Sequence, residues 1–201
     1  MGRLVATPVR AADTDPEIGT SYKTEGIKKA LRDEMFEGCC AFCEVHTEPS
    51  GYGEVEHYKP KALPEFKPLA YSWTNLLWSC KRCNVPKSSH WNAAAPLLDP
   101  TVDDPTDHLE WDGPKVVGRT TRGEYTVSLL DLNGDANLRR YESRGDVLNA
   151  VALAWEVFQS SGDHAQREMA GEILVRFLGP GAEYRGMLLA NGFTSETVLP
   201  L

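Results

Sequence analysis

Two cysteine pairs, Cys40-Ala-Phe-Cys43 and Cys80-Lys-Arg-Cys83, are the residues of this 201-residue chain whose spacing is most specific for a chemistry. A two-residue spacer lets one tight turn aim both sulfurs at a single ion, and two such turns complete the tetrahedron that Zn²⁺ favours. With thiolates at all four positions no site stays open for a reactive water, so the zinc is read as structural. Such a site contributes roughly 10–16 kcal/mol, as much as the whole stability of a domain, about 5–15 kcal/mol. The same cysteines also admit a redox pair, which wants a strand-to-helix position in a βαβ unit, and an iron–sulfur cluster. Cys39 would give a poorer, three-residue spacer and is read as a small buried residue.

Between and after the pairs stand residues suited to hydrolysis: Val55-Glu56-His57-Tyr58-Lys59-Pro60, then Trp73-Thr74-Asn75-Leu76-Leu77, then Asn84 and Lys87. Breaking a phosphodiester needs an activated water, a cation on the developing charge and a means of holding both in line. His57 is the sole histidine of the linker between Cys43 and Cys80 other than His46, which sits beside the first pair. An imidazole that is neutral near pH 7 suits a general base. Each residue also has an ordinary role open to it. His57 could be a hydrogen-bonded core histidine, Asn75 a helix cap, Asn84 a turn residue and Glu56 a solvated carboxylate. Tyr58 and Trp73 suit base stacking or packing around a small zinc core.

The elements that must position these groups are short. Thr24 can cap a helix running to about Phe36, with Ile27, Leu31 and Met35 on one face and Gly38 as its stop. Gly51 and Gly53 mark a turn into an extended segment at Glu54–Tyr58, and Pro60, Pro64 and Pro68 make the next stretch a loop. A short helix broken by Pro86 is expected from Asn84 to about Trp91. Residues 92–135 read as loops with short strands, among them a hairpin whose strands at Leu109–Trp111 and Lys115–Gly118 flank Asp112-Gly113-Pro114. The remainder is helical, with apolar stripes at Val147, Val151, Ala154, Trp155 and Phe158 and at Met169, Ile173 and Phe177, and a last short helix from Glu183 to Ala190. The chain is thus divided into an irregular arm over 1–22, a zinc-stabilised core over 23–100, and short strands followed by a helical region over 101–201 that packs on the core or docks a partner.

Composition is that of a globular chain, 41% hydrophobic and 25% charged. No run approaches the roughly 18 apolar residues of a membrane helix and no secretory leader is visible, so a cytoplasmic protein with no membrane partner is expected. Met1-Gly2 resembles the start of a myristoylation signal, but Ala6 stands where Ser or Thr is needed. The net charge of −8 argues against nonspecific nucleic-acid binding by the whole chain. Its distribution differs: residues 57–91 hold six basic side chains and one acidic, whereas 101–201 hold nine basic and sixteen acidic. That basic island is either a phosphate-contacting patch or a chance cluster of solvated lysines.

Taken in order, the first cysteine pair, an acidic residue before His57, Asn75-Leu76, and Cys80-x-x-Cys83-Asn84-x-x-Lys87 resemble the HNH endonucleases that wrap a ββα-metal motif with two zinc knuckles. The resemblance is specific over residues 37–87. Leu97-Leu98-Asp99-Pro100 and Leu130-Asp131-Leu132-Asn133, with Arg139 or Arg140 nearby, are further similar to the nuclease subunits of Septu-type and retron-associated anti-phage systems. It implies an α+β fold: a ββα-metal (His-Me finger) core with a structural zinc site, set among flanking helices and a helical C-terminal region. It implies His57 as general base, Glu56 and Asn84 as ligands of a catalytic Mg²⁺ or Mn²⁺, and Asn75 as the residue that holds the His57 loop. Lys59, Lys81, Arg82 and Lys87 are the implied phosphate contacts. The implied partners are nucleic acid, expected to be DNA, and an ATPase subunit of a defence complex. Glu56 stands where Asp is usual and Asn84 where a histidine is common, and His90 is an alternative third ligand. The competing class is a noncatalytic zinc ribbon that binds nucleic acid or protein.

Overall fold

A computed structural model describes residues 21–48, 53–134 and 139–194. The irregular arm expected over 1–22 lies almost wholly outside the described residues. Among the described residues the fold is mixed α+β with two separate two-stranded sheets. Thr24 caps α1 (Glu25–Lys29), its hydroxyl accepting from Ile27 N, and the chain continues in wider turns over Ala30–Met35, where Phe36 N reaches back five residues to Leu31 O. Ile27 and Leu31 are buried as expected, but the next core position is taken by Phe36, five residues on, while Met35 is only half-buried, because the wider turns shift the face by one residue. Gly38 follows at φ +82°, a left-handed conformation suited to glycine, and its bare Cα sits against the His46 ring.

The first sheet pairs β1 (Gly53–His57) with β2 (Leu76–Cys80) in antiparallel register, His57 opposite Leu76 and Gly53 opposite Cys80. Gly53 is obligatory here because the Trp78 ring occupies the space a Cβ would take. β2 runs directly into α2 (Lys81–Lys87), so the chain forms a β-β-α unit. The helix begins three residues earlier than Asn84 and carries Pro86 near its end, closing at Ser88 with φ +42°. A further 3₁₀ segment spans Pro64–Tyr71 in the proline-containing loop.

The second sheet, β3 (Leu109–Asp112) and β4 (Lys115–Gly118), turns through Gly113 at φ +57°. Then comes α3 (Thr121–Leu129), a helix in place of the loops and short strands expected over 92–135. Thr120 caps it, and Gly123 lets it lie directly on the His108 carbonyl. α4 (Arg139–Ser160), α5 (His164–Leu178) and α6 (Arg185–Ala190) complete the fold. One apolar core surrounds the cysteines and gathers Leu31, Phe36, Leu76, Leu77, Leu97 and Leu130; the other joins Val151, Leu174, Leu178, Met187 and Leu188. On α5 the buried stripe is Ala170, Leu174 and Leu178, one residue on from the expected Met169, Ile173 and Phe177, of which Met169 and Ile173 face outward. No helix among the described residues is long and apolar enough to cross a membrane.

Candidate functional site

The cysteines come together first. Cys40 and Cys43 lie on a turn that Glu44 closes at φ +59°, with Glu44 N bonding Cys40 O at 3.0 Å and Cys40 N bonding Val45 O at 2.9 Å. Ala41 N bonds Trp78 O at 2.9 Å, which seats this turn beside β2. Cys80 ends β2 and Cys83 lies in the first turn of α2, so the second pair straddles a strand–helix junction. The four sulfurs lie within 4.8 Å of one another, and Cys43 Sγ is 3.7 Å from Cys80 Sγ. Tetrahedral zinc with bonds near 2.3 Å separates its sulfurs by about 3.8 Å, so the arrangement fits the ion. Hydrogen bonding among the sulfurs splits the four thiols, Cys43 and Cys83 being pushed well above the ordinary value and Cys40 and Cys80 below it; four thiolates this close repel one another, and a cation among them would offset that repulsion. The Arg140 guanidinium stands by with Nη1 3.6 Å from Cys83 Sγ. Cys39 stays outside the cluster, its thiol donating to Gly181 O at 3.3 Å and pushed up to about 12 by burial.

The β-β-α unit so framed gathers the other groups. His57 ends β1, is 3% exposed, and stands edge-on to Tyr22 with ring centroids 4.5 Å apart. Burial pulls its pKa down to about 4, so the ring is neutral. A neutral ring 2.9 Å from Ala70 O donates through Nε2–H. That fixes the tautomer and leaves the Nδ1 lone pair without a hydrogen-bond partner among the described residues. Asn75 clamps the loop that follows: its Oδ1 accepts from Lys59 N at 2.8 Å, and its Nδ2 donates to Lys59 O at 3.0 Å and Leu69 O at 3.3 Å. Its own carbonyl accepts from Tyr58 N at 2.9 Å. One buried side chain therefore sets both ends of the segment from Lys59 to Ala70 against which His57 rests.

Glu54 and Glu56, two residues apart on β1, share one face of the strand and meet Asn84 and Lys87, three apart on α2. Asn84 Nδ2 donates to Glu54 Oε2 at 2.8 Å. Lys87 Nζ donates to Glu56 Oε1 at 2.6 Å and to His57 O at 2.7 Å. Burial shifts both members of this pair toward their neutral forms, Glu56 up and Lys87 down, and their mutual attraction opposes the shift. Lys87 is wholly buried, which corrects the expectation that it touches phosphate: its ammonium is spent inside the protein.

Glu54, Glu56, His57 and Asn84 all line one open, mainly polar cleft of about 370 Å³, together with Tyr22, Lys23, Lys61, Ser88 and Ser89. Of the other expected basic contacts, Lys59 is half-buried with its ammonium over Phe66, and Lys81 and Arg82 are exposed at the start of α2, away from the cleft lining. His90 bonds Lys87 O through Nδ1 and likewise lies off the cleft. Sequence reasoning passed over Glu54, Lys61 and Lys23. The signal for Glu54 was present in strand alternation, since it lies two residues before Glu56. A cleft with a neutral imidazole, two carboxylates, a carboxamide and a cationic rim can bind a divalent cation and an anionic substrate and accept a proton.

No family model matches the chain. It is similar to a protein from Bacillus thuringiensis named Septu protein PtuB, 42% identical over 108 residues that cover 53% of this chain and 41% of that protein. A Septu protein PtuB from Bacillus mycoides (strain KBAB4) is 34% identical over 144 residues, covering 56% of this chain and 48% of that protein. The match thus spans less than half the length of each relative.

Proposed function

We propose that this chain is a metal-dependent endonuclease of the HNH kind, acting on DNA as the nuclease component of a Septu-type anti-phage system. The observation that carries the reading is a β-β-α unit, closed by four cysteines, that presents a buried neutral imidazole beside carboxylates and a carboxamide in a lysine-rimmed cleft. Similarity to the two proteins named Septu protein PtuB supports the defence setting, and with it a companion ATPase subunit.

In this reading His57 accepts the proton of the attacking water at Nδ1, while its Nε2–H stays on Ala70 O and keeps the ring from turning. Asn75 holds the supporting loop in place. Lys61 and Lys23 meet the negative backbone at the rim of the cleft. A bound Mg²⁺ or Mn²⁺, held by hard oxygens of the cleft, supplies stabilisation of the charge on the scissile phosphate and departing 3′ oxygen. The cysteine-bound zinc takes no part in the chemistry and holds the unit together.

The test is cleavage of supercoiled plasmid by the full chain with Mg²⁺ or Mn²⁺, alone and with its companion ATPase. His57→Ala is expected to lose about 100-fold or more of the rate, the range for removing a general base. Cutting that survives the substitution unchanged sinks the assignment. Zinc-dependent DNA binding without cutting, indifferent to His57, would establish the noncatalytic zinc ribbon instead.

A further inference from the structure

Four thiolates carry more negative charge than one zinc ion cancels, and would leave the centre with a formal charge of about −2. Cys40 and Cys83 are wholly buried and Cys80 nearly so, and charge taken out of water is costly unless a counter-charge stands beside it. Arg140, in the first turn of α4, is 7% exposed and brings its guanidinium to this centre. Among the described residues its hydrogen bonds go to Cys83 Sγ, 3.6 Å from Nη1, and to Leu130 O, 3.0 Å from the same atom. Neither partner is a carboxylate. Arg144, one turn on, is spent differently. Its Nη1 donates to Pro114 O at 2.9 Å, its guanidinium stands 5.0 Å from the Trp111 ring centre, and the Glu44 carboxylate lines the same small cavity. Gly134, at φ +69°, seats the Arg140 stem, since a Cβ there would come within 3.1 Å of the Arg140 Cβ.

We infer that Arg140 is the outer-sphere counter-charge of the metal held by the four cysteines, and that its hydrogen bond to Cys83 makes retention of that metal depend on α4. The inference rests on zinc binding by the cysteines and not on the nuclease reading. A charged N–H donor draws electron density to the outer side of the Cys83 sulfur. That eases the repulsion among the four sulfurs and makes Cys83 less ready to take up a proton, the event that accompanies loss of the metal. The rival role for Arg140 is a cap on the carbonyl of Leu130 at the end of α3, which needs a donor but no charge.

The experiment uses the full chain in two forms. Loaded with Co²⁺ in place of zinc, it is read by the sulfur-to-cobalt charge-transfer band; loaded with zinc, by the rate at which it gives up the ion to excess EDTA. Arg140→Met is expected to move the band to lower energy, because the sulfur lone pairs rise when a nearby positive charge is removed. It is also expected to speed zinc release about tenfold or more, the low end of the loss in metal affinity for groups one shell out. Arg140→Lys keeps the charge and is expected to stay close to wild type in both readouts. Arg140→Gln keeps a donor for Leu130 O without the charge and is expected to follow Arg140→Met. Circular dichroism and metal stoichiometry confirm that each variant is folded, and where Arg140→Met does not fold, Arg140→Gln against Arg140→Lys decides. A band and a release rate in Arg140→Gln unchanged from wild type overturn the inference and leave Arg140 as a cap. A lowered melting temperature with an unmoved band does the same. A wild type that binds neither Zn²⁺ nor Co²⁺ at the cysteines overturns it as well. Plasmid cutting enters neither readout: a chain that cuts nothing but shows the shifted band loses the nuclease and keeps the inference, and a chain that cuts with an unmoved band loses the inference alone.

Discussion

The cysteine-framed unit and the C-terminal helices solve the same problem with opposite means. Among the described residues from Cys39 to Lys87 the strands and helix are only five to seven residues long, with two 3₁₀ segments at Pro64–Tyr71 and Trp73–Asn75, and the buried set includes His57, Glu56, Asn75 and Lys87. From Arg139 onward, helices of 22 and 15 residues pack through Val151, Leu174 and Leu178. Short strands and a seven-residue helix bury too little apolar surface to hold buried charges in place, so saturated hydrogen bonds, and an ion among the four cysteines that could hold one, would do that work. Long amphipathic helices need neither. The groups proposed to react stand where polar bonds replace apolar packing, because that mode of stabilisation leaves polar side chains facing a cleft. The two regions are nonetheless keyed together. The Glu44 carboxylate accepts from Gly186 N at 3.1 Å, and Arg140 of α4 reaches Leu130 O at 3.0 Å beside Cys83.

The contrast breaks most sharply at the cysteines. Cys83→Ser removes a ligand worth a large share of roughly 10–16 kcal/mol, so zinc content should fall and the β-β-α unit should lose its tertiary structure. Most of the helical circular dichroism should remain, since α4 and α5 bury their apolar faces mainly against each other and meet the cysteines only at Arg140; its complete loss would show that the C-terminal helices depend on the zinc. A smaller effect is expected at the buried ion pair. Lys87→Ala strands the Glu56 carboxylate and should cost about 3–5 kcal/mol in urea denaturation, whereas Lys87→Met with Glu56→Gln should recover most of it. Equal losses in both variants would mean that packing, not charge, is what Lys87 contributes. Smallest for the site is Leu174→Ala, a wholly buried position of the second core, expected to cost roughly 2–5 kcal/mol while zinc stoichiometry and Mn²⁺ affinity stay unchanged. A drop in zinc content there would dissolve the distinction between the regions.

Much of this was legible before any coordinates. The C-x-x-C spacing, the turn residues of the second hairpin and the stripe of α4 are local signals, each set by a few neighbouring residues. α3 falls in the stretch expected as loops with short strands; what makes it a helix is a cap at Thr120 and a glycine needed for contact with His108, fifteen residues back. On α5 two stripes one residue apart have the same four-residue repeat, so periodicity cannot rank them. Ala170 and Gly171 settle it, Gly171 lying under the Phe158 ring of α4.

The same divide runs through the candidate site. Residue type and spacing alone pointed to four thiols sharing one centre; that His57, Asn75 and Asn84 stand beside it was an expectation from the resemblance in their order, since each on its own has an ordinary role. Only the tertiary structure decided that Lys87 faces inward, that Glu56 is its partner, and that Glu54 meets Asn84. A lysine, a glutamate and a second glutamate carry no mark in sequence of which will pair. That choice depends on how α2 is rotated against β1, and rotation is set by Cys83 reaching the cluster from one side of the helix while Asn84 and Lys87 face the strand.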